Sequence, residues 1–212
     1  MTAAQRRRMA EIAAAIILSI SSFVSSWAGY QANLWDGEQA AHYTEANSER
    51  VSASRFATSA GQYQGADVLL FSQWLDAHAQ SNRPLEAYYR EQFRPEFARA
   101  FDAWIALHPA HNKDAPRSPF GMPDYHSGLM GEADVAGRRA DQQFDAGQKA
   151  NDIGDAFENG AVCLALAMFL CGITQTFETT AIRTVLLTIG ALACLVGIAR
   201  VARLPVLALH GS

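Results

Sequence analysis

Cysteine is scarce, and Cys163, Cys171 and Cys194 all fall inside apolar stretches near the C-terminal end of the chain. A thiol in such surroundings behaves as a small apolar side chain, so none is left to cross-link the polar middle. A large helical domain can be stable without disulfides in any compartment. Also missing are a nucleophile elbow, a phosphate-binding loop, a dinucleotide fingerprint and a zinc-protease helix motif. The sequence therefore points away from an enzyme: it offers no catalytic residue and implies no cofactor. Acid is nearly absent from both ends, since of 21 acidic residues only Glu11 and Glu178 lie outside the segment 30–158. That segment sets 19 acids against 11 Lys and Arg, a net charge of −8 by subtraction. Such a surface repels phosphate backbones, which excludes nucleic acid as a partner.

What is present divides sharply along the chain. A length of 212 residues suits one ordinary soluble domain, and a mean hydropathy close to zero agrees. The average misleads, because the apolar residues crowd into the two ends. The first apolar stretch runs from Ile12 to Tyr30, about the twenty residues needed to cross a hydrocarbon core roughly 30 Å thick. Arg6, Arg7 and Arg8 ahead of it would also suit a cleaved signal peptide. The run is too long for that, and it ends in Trp27 and Tyr30, residues suited to a membrane interface. A second crossing is expected over 159–177 and a third within 178–212, joined by a very short turn around Glu178, Thr179 and Thr180. The expected fold is all-α: three transmembrane helices, with a large helical extramembrane insert over 31–158 between the first and second. The bilayer is the first partner this implies.

On a helix the first stretch has two sides. Ile12, Ile16, Ile20, Phe23, Val24, Trp27 and Tyr30 share one; Glu11, Ala15, Ser22, Ser25, Ser26 and Gly29 share the other, interrupted by Leu18. Segregated small residues imply contact with protein or water, because lipid would accept bulky residues all round. Ser22, Ser25, Ser26 and Gly29 are thus candidates for helix packing, and alternatively for lining a polar conduit between several copies. Trp27, Tyr30 and Trp35 are the candidate interface anchors. The arginine triplet favours a cytoplasmic N-terminus, with the insert on the other side of the membrane; Arg200 and Arg203 after the third crossing pull against that orientation.

Between Tyr30 and Gln80 there is no proline, so the first helix is expected to continue well beyond the lipid, with a bend or break at Gly61 or Gly65. A second helix should start at Pro84 after Ser81 and Asn82 and kink at Pro95. Its aromatic residues Tyr88, Phe93, Phe97, Phe101 and Trp104 match the apolar end of the first helix. Residues 108–128 hold four prolines and read as a loop, pinned by Phe120, Met122 and Tyr125. From about Leu129 a third long helix runs back into the second crossing. His108 and His111, with His78, Asp114, Asp124 and His126 nearby, could be read as metal ligands; the spacing is weak and no cysteine supports it, so no metal is assigned. The acids Asp141, Asp145, Asp152 and Asp155 alternate with Arg138, Arg139 and Lys149 as a solvated face does.

Four stretches carry a resemblance: Ser-Trp-Ala-Gly-Tyr-Gln-Ala-Asn-Leu-Trp-Asp-Gly-Glu-Gln-Ala-Ala from Ser26, Phe-Ser-Gln-Trp-Leu-Asp-Ala from Phe71, Tyr-Arg-Glu-Gln-Phe-Arg-Pro-Glu-Phe from Tyr89, and Ala-Pro-Arg-Ser-Pro-Phe-Gly-Met-Pro-Asp-Tyr from Ala115. With them most of the chain resembles a group of uncharacterised bacterial three-pass membrane proteins. The resemblance implies a bacterial inner membrane and brings no activity and no site residue. The functional expectation is a non-enzymatic membrane protein that self-associates through its first crossing, forming a homo-oligomer, and uses its acidic helical domain as a scaffold or accessory surface for a protein partner. The alternative is a homo-oligomeric ion channel with a serine-lined pore.

Overall fold

The computed structural model describes residues 3–208; the side chain of Arg6 and the last four residues of the C-terminal tail lie outside the described residues. Five α-helices account for most of it: α1 (Ala3–Ala79), α2 (Arg83–Glu91), α3 (Pro95–Ala106), α4 (Gly128–Ile173) and α5 (Thr180–Val201). Short 3-10 turns stand at Pro119–Gly121 and Thr174–Thr176, and there is no strand among the described residues. Three helices, α1, α4 and α5, are long and apolar enough to cross a membrane. Two compact units divide the chain: a terminal unit, Met1–Glu45 with Gln143–Ser212, and a central unit, Ala46–Gln142.

In the terminal unit the three helices pack antiparallel in chain order. Ala28 and Ala32 of α1 meet Phe157 of α4 and Val201 of α5, and Ile17 and Val24 reach Leu164, Ala167 and Cys194. Buried positions recur every seven residues: Ala14, Ser21 and Ala28 on α1, and Ala150, Phe157, Leu164 and Cys171 on α4. That period is the signature of helices wound gently about one another. Small residues at the seam bring the backbones close. A Cβ on Gly197 would stand 2.7 Å from Leu164 Cγ, and one on Gly190 would stand 2.8 Å from Cys171 Sγ. Outward, Phe23, Leu166, Phe169, Leu192 and Leu195 are exposed, an apolar surface far larger than water tolerates on a monomer.

The central unit is built on aromatic rings. Phe71, Trp74, Phe93, Phe97, Phe101 and Trp104 form its core, with Phe120, Met122 and Tyr125 packed on it from the proline-rich segment, as expected for that loop. Trp74 meets Phe101 at 4.7 Å between centroids and 77° between planes, and Phe93 meets Phe97 at 4.7 Å and 70°. Such edge-to-face pairs add about 0.5–1.5 kcal/mol each beyond the area they bury.

Three local expectations change. Helix α1 does not break at Gly61 or Gly65 but runs on to Ala79; Ala60, Asp67, Phe71, Trp74 and Ala77 are buried on one face around them, and that packing outweighs a glycine penalty of about 1 kcal/mol each. At Pro95 the chain does not kink one helix but starts another. Arg94 is extended (φ −62°, ψ 150°), as a residue before proline prefers, and Pro95 supplies a first helical turn that needs no N–H. Val24, placed by sequence on the bulky outer side of α1, packs inward.

Candidate functional site

In the terminal unit α1 has three sides rather than two, because the inner seam through Ala14, Ser21 and Ala28 lies next to the small-residue side. Of the sequence candidates, Ser22 and Ser26 are exposed, while Ser25 and Gly29 are half-buried. Ala15, Ser19 and Asn33 join them on the outward stripe, and nothing lies within 4 Å of a Cβ built on Gly29. Ser19 and Ser26 donate to the carbonyls of Ala15 and Ser22, both at 2.9 Å, and Asn33 donates to Gly29 O at 3.0 Å. These polar groups therefore satisfy themselves on their own helix. Ser21 is the hydroxyl that meets a neighbouring helix: it is buried and donates to Cys194 Sγ at 3.3 Å.

The three candidate interface anchors have different surroundings. Trp27 and Tyr30 are exposed neighbours, 5.9 Å between ring centroids. Trp35 is half-buried and its indole N–H donates to Pro205 O at 3.2 Å. One turn earlier, the buried Gln31 amide donates to Leu207 O at 3.2 Å and accepts from Leu207 N–H at 2.9 Å. A side-chain amide here replaces a neighbouring strand, and together with Trp35 it clips the C-terminal segment onto α1. Gln31→Leu should speed hydrogen exchange of the Leu207 amide about five- to tenfold, the effect of losing a net hydrogen bond of about 1 kcal/mol; an unchanged rate would mean that the clip holds nothing.

At the opposite end of the same bundle, Arg183 is buried and its Nε donates to Thr174 O at 3.1 Å. Sequence reasoning missed it. The signal was a single cation inside an apolar stretch, where ionisable groups are costly and need a partner. The antiparallel order places Arg183 at the end of the bundle where α1 begins, with Arg7 and Arg8.

In the central unit the polar centre is Asp67, fully buried at 0 % exposure. Arg94 grips it with both arms, Nε to Oδ1 at 3.1 Å and a terminal nitrogen to Oδ2 at 2.7 Å, and Tyr125 Oη donates to Oδ2 at 3.0 Å. The guanidinium also lies over the Tyr63 ring, 4.7 Å from its centroid. The hydrogen bond to Asp67 raises the Arg94 pKa; burial, then the hydrogen bond to Asp67, push Tyr125 up to about 12. This triangle ties α1, the start of α3 and the loop together. It also borders a cavity of about 560 Å³ that reaches Gln64, His126, Ser127 and Asp134. Asp67 carried a legible signal: it stands seven residues after Ala60 and seven before Trp74, on the buried stripe of α1.

The loop histidines do not gather as metal ligands, and no cluster of three metal-binding side chains exists among the described residues. His78 instead stacks on Trp74 at 4.9 Å and pairs with Glu86 at 3.2 Å. The acidity also sits elsewhere than a single acidic domain would put it. Segments 30–45 and 143–158 hold seven acids (Asp36, Glu38, Glu45, Asp145, Asp152, Asp155 and Glu158) against Lys149 alone, net −6; the central unit holds 12 acids against 10 bases, net −2.

No family model, no curated protein and no solved structure matches this chain. The roles of its residues rest on the geometry just described, and the resemblance drawn from sequence adds none.

Proposed function

We propose that this chain is a non-enzymatic integral membrane protein that crosses the bilayer with α1, α4 and α5, self-associates through the outward stripe of α1, and serves as a scaffold or accessory component. The carrying observation is that stripe: Ala15, Ser19, Ser22 and Ser26 stay exposed after the three helices have packed, beside a half-buried Gly29 with open space where a Cβ would stand. Bulky side chains on every lipid-facing position would satisfy the bilayer; a strip of small residues instead lets a second backbone approach. Packing is preferred to a serine-lined pore because the hydroxyls of Ser19 and Ser26 already donate within their own helix, a state that suits a dry contact.

A bacterial inner membrane with the N-terminus in the cytoplasm fits the charges. Arg7, Arg8 and Arg183 belong to one end of the bundle, against Arg200 and Arg203 at the other, and cations favour the cytoplasmic side. The central unit then faces the periplasm or exterior. The seven acids of segments 30–45 and 143–158 offer a surface to a basic protein partner.

The test is association of the full chain in lipid nanodiscs or mild detergent, followed by sedimentation across a concentration series. Wild type should form oligomers, and Ser22→Leu with Ser26→Leu should weaken association about tenfold or more, the scale of 1–2 kcal/mol for polar and small-residue helix contacts. A wild-type chain that stays monomeric at every concentration defeats the reading.

A further inference from the structure

A second cavity, of about 600 Å³, lies in the central unit beyond the end of α3, within the size range of small-molecule pockets. Its floor is apolar, formed by Trp74, Leu75, Trp104 and Ile105. The Trp104 indole N–H already donates to Pro116 O at 2.7 Å, so the ring offers a ligand its hydrocarbon surface only. The rim is cationic. Lys113 and Arg117 line it together with His108 and His111, and no carboxylate does.

Two further observations describe this rim. Some bases of the unit are paired: Arg83 with Glu86, Arg90 with Asp102, Arg94 with Asp67. Lys113 and Arg117 have no carboxylate within 4.0 Å among the described residues, in a chain where acids outnumber bases. His108 stands just past α3 with φ 50°, as Ser81 stands just past α1 with φ 57°, the left-handed conformation in which helices normally end on glycine.

From these observations we propose that the cavity binds a small amphipathic carboxylate, its aromatic or short acyl body on the tryptophan floor and its anionic head at Lys113, Arg117 and His108. The apolar body accounts for the floor, and the head supplies the acid that the rim lacks. The site is independent of self-association and stands or falls by itself.

The experiment uses the full chain in nanodiscs of neutral phospholipid, with empty nanodiscs to subtract partitioning, and saturation-transfer NMR of phenylacetate, hexanoate and phenylacetamide. Both carboxylates should bind saturably. The uncharged phenylacetamide should bind about tenfold more weakly, as expected from loss of a charge-assisted contact, and Lys113→Gln with Arg117→Gln should weaken phenylacetate by about the same factor. His108→Gly should raise the melting temperature while weakening phenylacetate binding; a residue that only closes the helix would gain stability with affinity unchanged. Absence of saturable binding by both carboxylates, equal affinity for the amide, or unchanged affinity in the doubly neutralised variant overturns the assignment.

Discussion

Arg94→Met should cost the central unit about 3–5 kcal/mol at neutral pH, the range for removing one partner of a buried ion pair. The reason is Asp67, which is fully buried while Arg94 retains some contact with water. Without the guanidinium, the carboxylate keeps only the Tyr125 hydroxyl as a partner, and the Tyr63 ring loses the cation above it. On a unit of this size the loss corresponds to a fall in melting temperature on the order of 10–20 °C, readable by near-ultraviolet circular dichroism of the aromatic core. A lone buried carboxylate favours its protonated form, so the deficit relative to wild type should be smaller at pH 5 than at pH 8. Adding Asp67→Asn should recover part of the loss, since it removes the orphaned charge. A deficit under 1 kcal/mol, the ordinary value of a surface pair, would show that the triangle holds nothing together. Tyr125 adds an alkaline limit. Its pKa is raised in the folded chain, from 10 to about 12, so its contribution is complete below pH 10 and is lost as pH rises through about 12.

Gly197→Val should disrupt the terminal unit by about 1–3 kcal/mol or more, as overpacking does in a close-packed core. Even the first added carbon would meet Leu164 Cγ at 2.7 Å and Gly160 O at 3.2 Å. Leu164 is buried with Ala167 and Cys194 around it, so it has no free rotamer to retreat into. Thermal unfolding in detergent should show the loss, and Leu164→Ala in the same chain should restore part of it by vacating the contact. Gly29→Val is the control: with nothing within 4 Å of its Cβ, it should leave unfolding of the single chain unchanged, at most weakening association. Equal effects at both glycines would mean that the α4–α5 contact is not the tight one.

The two variants probe features that differ in how readable they were. The apolar stretch that forms α5 was visible, because a hydrophobic run of that length reads directly off the chain. The Asp67–Arg94–Tyr125 triangle was not, since its members lie 27 and 58 positions from Asp67 and no local rule links them. Aromatic spacing announced the core of the central unit, yet it gave no hint that Arg94 and Pro95 divide the helix that carries it. The candidate stripe on α1 was named from sequence nearly as it stands; its separation from a buried seam through Ser21 was not, because a lone helix does not reveal which of its two small-residue faces the partner helices will take.

By itself the sequence determined the helical class, the three apolar stretches, the proline-rich loop and the crowding of acid into the middle of the chain. Those follow from composition and short-range period, which act within a few turns. Tertiary structure alone decided that α1 runs unbroken past Gly61 and Gly65, that Gln31 holds a backbone 176 residues away, that Arg183 binds the 3-10 turn that follows α4, and that Lys113 and Arg117 line a cavity with Trp74 and Trp104. In each case contacts between distant segments outweigh local preferences of about 1 kcal/mol, and only the folded chain sets which segments meet.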